Sequence, residues 1–180
     1  MNNTLKAILF GAVCGLGLVG LTFAAATTTQ TVTMQVNAIG VLAVTGNPST
    51  LTVSAPAVGG DTPSNASNNS TYVQYTSTVG ASNARKLTAA WGGSDAAPAG
   101  CSLKLTATPS SGTNEGTTAG QITLSSTAQD IVTTIKSCAT GTGGTNGAQL
   151  SYLLAVTSMT DLVAGESKSA TVTLTLTDAA

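Results

Sequence analysis

Histidine is absent from this chain of 180 residues, and its absence excludes a large part of enzyme chemistry. Without it, Ser/His/Asp and Cys/His nucleophile arrangements are impossible, and the commonest zinc ligand is missing. Charge is scarce too: six basic and seven acidic side chains make 7% of the chain, against about a quarter in ordinary domains. Such a chain offers no basic surface to a nucleic acid or an anionic membrane. Aromatic residues are 3%. Trp91, Tyr72, Tyr75 and Tyr152 therefore read as core or half-buried packing before they read as a ligand platform.

The remaining motifs add no reaction. No S-x-x-K pair supplies a Ser/Lys nucleophile. GASNA (80–84) lacks the closing glycine and the base of a nucleophile elbow and reads as a turn. CATGTGGTNG (138–147) lacks the Gly-Lys-Ser/Thr ending of a phosphate loop and the G-x-G-x-x-G spacing, and reads as a long hairpin loop. Asp61, Asp95, Glu115, Asp130, Asp161, Glu166 and Asp178 are scattered without calcium-loop spacing. NAS and NNST (65–71) match glycan acceptor sequons but read as a polar loop. The expectation is a protein that is not an enzyme and holds no cofactor and no metal.

What is present begins with an export signal over residues 1–26: Lys6, an apolar run to Phe23, then Ala24, Ala25 and Ala26 where a peptidase could cut. The apolar run is long enough for a retained anchor to be the main rival. Lipid attachment at Cys14 is disfavoured by Val13, and no Glu follows a Gly as a type IV pilin leader requires. Cleavage leaves about 154 residues, one domain's worth. The product is expected outside the cell, with no membrane attachment after cleavage.

Period-two alternation recurs along the rest. SATVTLTLT (169–177) puts Ala170, Val172, Leu174 and Leu176 on one face and threonines on the other. SLKLTAT (102–108) alternates likewise. QLSYLLAVT (149–157) is apolar on both faces and reads as a central strand. Further strands are expected at 50–55, 71–78, 85–91 and 122–125, while QDIVTTIK (129–136) fits a strand or a helical turn. Pro, Gly, Asn and Ser clusters separate these runs. The expected fold is an all-β antiparallel Ig-like or pilin-like β-sandwich of about seven to nine strands, with its domain over residues 39–180.

Residues 27–38 stand apart. Val32, Met34, Val36 and Ala38 share one face of an expected strand, and the alternation then slips so that Ile39 and Val41 continue it. A strand with such a slip can serve two partners. It leaves its own domain to insert Val32, Met34 and Val36 into a neighbour's groove, or it bends from one sheet to the other within its own subunit. Two cysteines remain after signal removal. An even count in an exported chain points to a Cys101–Cys138 disulfide, which would close 38 residues and stabilise by roughly 3 to 4 kcal/mol.

The succession VNAIGVLAVTGNPSTLTV, YTSTVGASNARKLTA, ITLSSTAQDIVTTI, LSYLLAVTSM and ATVTLTLTD resembles a broad group of uncharacterised exported prokaryotic β-sandwich proteins. More loosely it is similar to donor-strand pilin subunits and spore coat U-like domains, although the spore coat U cysteine pattern and the aromatic pilin ending are missing. The resemblance implies a structural subunit of an extracellular filament or surface layer, with further copies of itself as partner. The alternative is a monomeric surface binding module for carbohydrate or protein, using loops 92–100 and 141–147 around Trp91.

Overall fold

Thr, Val, Ile and Leu at alternating positions favour extended backbone, and Gly-rich connections let it reverse. In a computed structural model that describes residues 28–92 and 96–179, this yields ten strands and no helix among those residues. They are β1 (Ile39–Thr45), β2 (Ala66–Thr78), β3 (Arg85–Trp91), β4 (Cys101–Thr108), β5 (Thr117–Thr118), β6 (Gln121–Thr123), β7 (Gln129–Ile135), β8 (Cys138–Ala139), β9 (Ala148–Val156) and β10 (Val172–Asp178). No helix among the described residues is long and apolar enough to cross a membrane. The expected signal at 1–26 lies outside the described residues. The chain divides into two units, Met1–Gln35 and Val36–Ala180, and every strand belongs to the second.

All pairings are antiparallel. One sheet runs β1-β2-β9-β4-β6, with β8 also pairing β2; the other runs β10-β3-β7-β5. A single buried cluster draws on both: Val73, Tyr75, Leu105, Leu150 and Tyr152 from the first, Leu87, Ala89, Ile131, Val132 and Ile135 from the second. Two antiparallel sheets sharing one core are consistent with a β-sandwich. Burying a leucine or isoleucine fully is worth about 1.5–3 kcal/mol, and Leu87, Leu105, Leu124, Ile131, Ile135 and Leu150 are all fully buried.

One open reading is resolved in the structure and three expectations change. Of the two readings of 129–136 the strand holds, as β7, and its alternation is broken by two register shifts against β3, so that Ile131, Val132 and Ile135 are all buried in the core; Thr134 takes φ 57° beside them, as a bulge allows. Residues 50–55 are not a strand but make one bridge, Ser54 to Ser64, with Leu51 and Val53 half-buried. Residues 28–38 belong to no strand. A strand is defined by its ladder, and residues 28–38 enter none of the strand ladders among the described residues.

The third correction is the disulfide, because Cys101 and Cys138 are both free thiols. Cys101 sits opposite Val156 at one end of the larger sheet, whereas Cys138 sits opposite Ser77 at the other. The β2 strand between those ends covers Ala66 to Ser77, roughly 30 Å or more at ~3.3 Å per residue. A bridge needs Cα atoms within about 7 Å. The even count ignored where the strands carry each cysteine.

Candidate functional site

The long edge strands β1 and β10 lie on the same flank. Gly40 of β1 stands against the Arg85 guanidinium of β3, and Arg85 Nε lies 3.2 Å from Asp178 Oδ1 at the end of β10. β1 therefore starts where β10 ends, and the two edges run in opposite directions. A Cβ at position 40 would collide with Arg85, which is why a glycine there lets the guanidinium close this end of the flank.

Register fixes which way each edge residue points. Leu42 and Val44 stand opposite Tyr75 and Val73, and Leu174 and Leu176 opposite Ala89 and Leu87; each of these four partners is in the core. Directly opposed residues share a face, so Leu42, Val44, Leu174 and Leu176 face inward, as does Val172. Yet Val44 is 50% exposed, and Leu42, Val172, Leu174 and Leu176 are only half-buried. The inner face is apolar here but only partly covered. β1 ends the path of one sheet and β10 the path of the other, so each leaves one side unpaired among the described strands.

The same residues carry the free backbone groups. Gly92 N donates to Thr171 O at 3.1 Å and Ala179 N to Ala84 O at 2.9 Å, so odd-numbered residues of β10 bond to β3. Val172, Leu174 and Leu176 then aim their N–H and C=O at the open edge. On β2, Tyr75 exchanges bonds with Thr140 beside β8, so even-numbered β2 residues serve β1. Gly40, Leu42 and Val44 likewise aim theirs at the open edge. The flank presents inward apolar side chains and unmade hydrogen bonds from the same positions, as a site for an added strand would.

Among the sequence-identified residues, Val32, Met34 and Val36 are exposed at 64%, 86% and 84%. Asn37 and Ile39 are held at the start of β1 by Thr78: Thr78 Oγ1 donates to Asn37 O at 2.9 Å and accepts from Ile39 N at 2.6 Å. Trp91 packs against the core edge on the four-stranded sheet. Loop 141–147 is held on the other sheet, where Gln74 Nε2 donates to Gly143 O and Thr45 Oγ1 to Gly144 O. The loop and Trp91 are thus attached to different sheets.

No group of three or more His, Cys, Asp or Glu residues able to hold a metal occurs among the described residues. Asp130 pairs with Lys86 at 3.1 Å. Glu166 accepts from Ala99 N at 2.8 Å and meets Lys168 at 3.3 Å; the backbone N–H, more than the lysine, holds its carboxyl below the usual range. Sequence reading missed one polar cluster. Glu115 is buried, accepts from Ser110 Oγ, and its carbonyl accepts from the buried Tyr75 hydroxyl. Burial raises the Tyr75 hydroxyl far above its ordinary value, helped by Cys138 and Glu115. Burial, then the Glu115 charge, also raises the Cys138 thiol. A thiol so shifted is a poor nucleophile, and the cluster works as packing. Comparison with protein-family models, curated proteins and solved structures finds no match.

Proposed function

We propose that this protein is an exported structural subunit of an extracellular filament or surface layer, built by strand complementation between copies of an incomplete, pilin-like sandwich. The observation that carries the reading is the flank between β1 and β10, where inward-facing Val44, Leu42, Val172, Leu174 and Leu176 remain partly open to solvent. The segment 27–37 supplies a complementary strand, with Val32, Met34 and Val36 exposed at alternate positions.

Laid antiparallel along β10, those three side chains match Val172, Leu174 and Leu176 one for one, each pair sharing the inner face. The direction has a consequence for assembly. A segment antiparallel to β10 ends at the Val172 end of the acceptor, where the donor's own β1 must then begin. The acceptor's segment meets its own β1 at the opposite, Asp178, end. Each subunit thus receives at one end and gives from the other, a head-to-tail contact that does not close on itself. Low charge supports dense assembly, since little repulsion opposes it.

Deleting residues 27–37 tests the reading. All ten strands and the whole buried cluster lie within residues 39–178, so a chain beginning at Ala38 keeps its core. It should remain folded, fail to form fibres, and bind a synthetic peptide of residues 27–37 that raises its melting temperature. Regular fibres from the truncated chain, or a full-length mature chain that stays monomeric at every concentration, would refute it.

A further inference from the structure

We infer that the outward edge of β1 is a second, separate interface, at which two copies of this chain pair β1 to β1 across a two-fold axis through Leu42. The inference rests on the reading above in one respect: a strand added beside β10 leaves the edge of β1 open. β1 pairs only with β2 among the described residues, and Gly40, Leu42 and Val44 aim unpaired N–H and C=O groups outward. Leu42 is the central residue of the seven in β1. An antiparallel copy centred on it brings Gly40 opposite the partner copy's Val44 and Leu42 opposite its own equivalent, so donors and acceptors match with no residue left over.

The side chains suit the same partner. Ile39 and Val41 are 42% and 57% exposed on the outer face, beside exposed Ala43. In the two-fold register Val41 faces Ala43 of the other copy twice over, making one continuous apolar stripe. Soluble proteins defend such an edge with lysine, proline or a bulge, and IGVLAVT has none of them. The adjacent outer positions of β2 are Thr78, Thr76, Gln74 and Tyr72, all uncharged. These outer-face positions carry no charge to repel a second copy, and the Arg85 charge beside Gly40 is paired with Asp178. A single seven-residue edge covers less than the ~800 Å² per partner of a stable complex. Isolated subunits should therefore pair weakly, while subunits repeated along a filament pair side by side with gain from multivalency.

The test uses the chain beginning at Ala38, which cannot donate a strand, so its outcome does not depend on fibre formation. Sedimentation up to about millimolar concentration should show a reversible dimer. Val41→Lys with Ala43→Lys, both at exposed outward positions, should weaken it about tenfold or more, because like charges then oppose one another across the axis. Val41→Lys with Ala43→Glu should restore it, since each lysine would then face a glutamate of the other copy. A chain monomeric at every concentration, or a dimer indifferent to both pairs of substitutions, overturns the proposal. In full-length protein the double-lysine variant should still form single fibres but lose their lateral bundles; loss of the fibres themselves would place β1 in the head-to-tail contact and overturn it equally.

Discussion

The two flanks of this two-sheet fold are built from the same kinds of residue and end differently. On one flank the chain crosses between sheets: β5 belongs to the four-stranded sheet and β6, two residues later, to the other. Backbone bonds stitch that crossing, from Leu124 N to Leu103 O, Trp91 N to Ser125 O and Ala119 N to Ile131 O. Leu105, Leu124, Ile131 and Val132 are fully buried there. On the other flank no connection among the described residues crosses between β1 and β10, and their inward residues stay only partly buried. Hydrophobic content alone does not close a core. A connection that carries the chain from one sheet to the other supplies both the cover and the hydrogen bonds, and where it is lacking the same apolar residues become a surface.

The sharpest way to break this contrast is to remove matched leucines in the chain beginning at Ala38. Leu124→Ala should cost about 2–5 kcal/mol, the usual range for a cavity in a closed core. Leu174→Ala, at a side chain only partly buried, should cost about 1 kcal/mol, since part of its transfer energy was never gained. Urea unfolding measures both. Equal losses would mean the flanks are equally packed. In the full-length protein Leu174→Ala should instead show itself as impaired fibre growth.

Backbone at the closed flank is the next probe. Gly116 has φ 91°, and a Cβ there would meet Thr133 O at 2.6 Å and side-chain carbons of Val132 and Ile135 at 2.8 Å. Gly116→Ala should cost about 2–4 kcal/mol from strain and overpacking together. Gly120 shares the strained φ, at 94°, but has nothing within 4 Å. Gly120→Ala should cost about 1–2 kcal/mol from backbone strain alone. Thermal unfolding of the pair separates crowding from conformation.

Alkali probes the closed core in a third way. Tyr75 and Tyr152 are buried, and burial raises both hydroxyls above the ordinary value. A folded-state value raised above the unfolded one contributes stability that is complete below the unfolded value, about pH 10, and is lost as pH rises beyond it. Ultraviolet titration should show these two tyrosines ionising together with unfolding and not before. Early, reversible ionisation of Tyr75 would show that the core breathes.

Most of the strands were legible because burial of one face imposes period two on the sequence, as in β3, β4, β9 and β10. What escaped was set by other forces. β5 and β8 are two residues each, too short to hold a period. In β7 two bulges shift the phase, so Ile131, Val132 and Ile135 mimic a helical spacing. Glu115 sits in a Gly/Ser-rich loop that reads as solvent-facing, yet Ser110 and Tyr75 fold it inward. The open flank itself depends on which strands lie at the edges, and strand order is not written in alternation. The slip at Ala38 did mark where the first strand begins, one residue later at Ile39.

The smallest expected effect is also the one that most directly separates sequence arithmetic from geometry. An even pair of cysteines suggested a staple of roughly 3–4 kcal/mol. The strands instead carry Cys101 and Cys138 to opposite ends of the larger sheet as free thiols. Adding a reductant should therefore leave the melting temperature of the chain beginning at Ala38 unchanged, and two alkylations should appear by mass after unfolding without reduction. Native alkylation should be slow near neutral pH and rise with alkali, because burial raises both thiols, assisted at Cys101 by Glu166 and at Cys138 by Glu115. Only the thiolate reacts, and a raised value keeps its population low until the pH climbs. Cys138 packs against the core while Cys101 does not, so Cys101 should react first. A reductant-sensitive melting temperature in this chain would mean that Cys101 and Cys138 come together, against the registers that place them at opposite ends of the larger sheet.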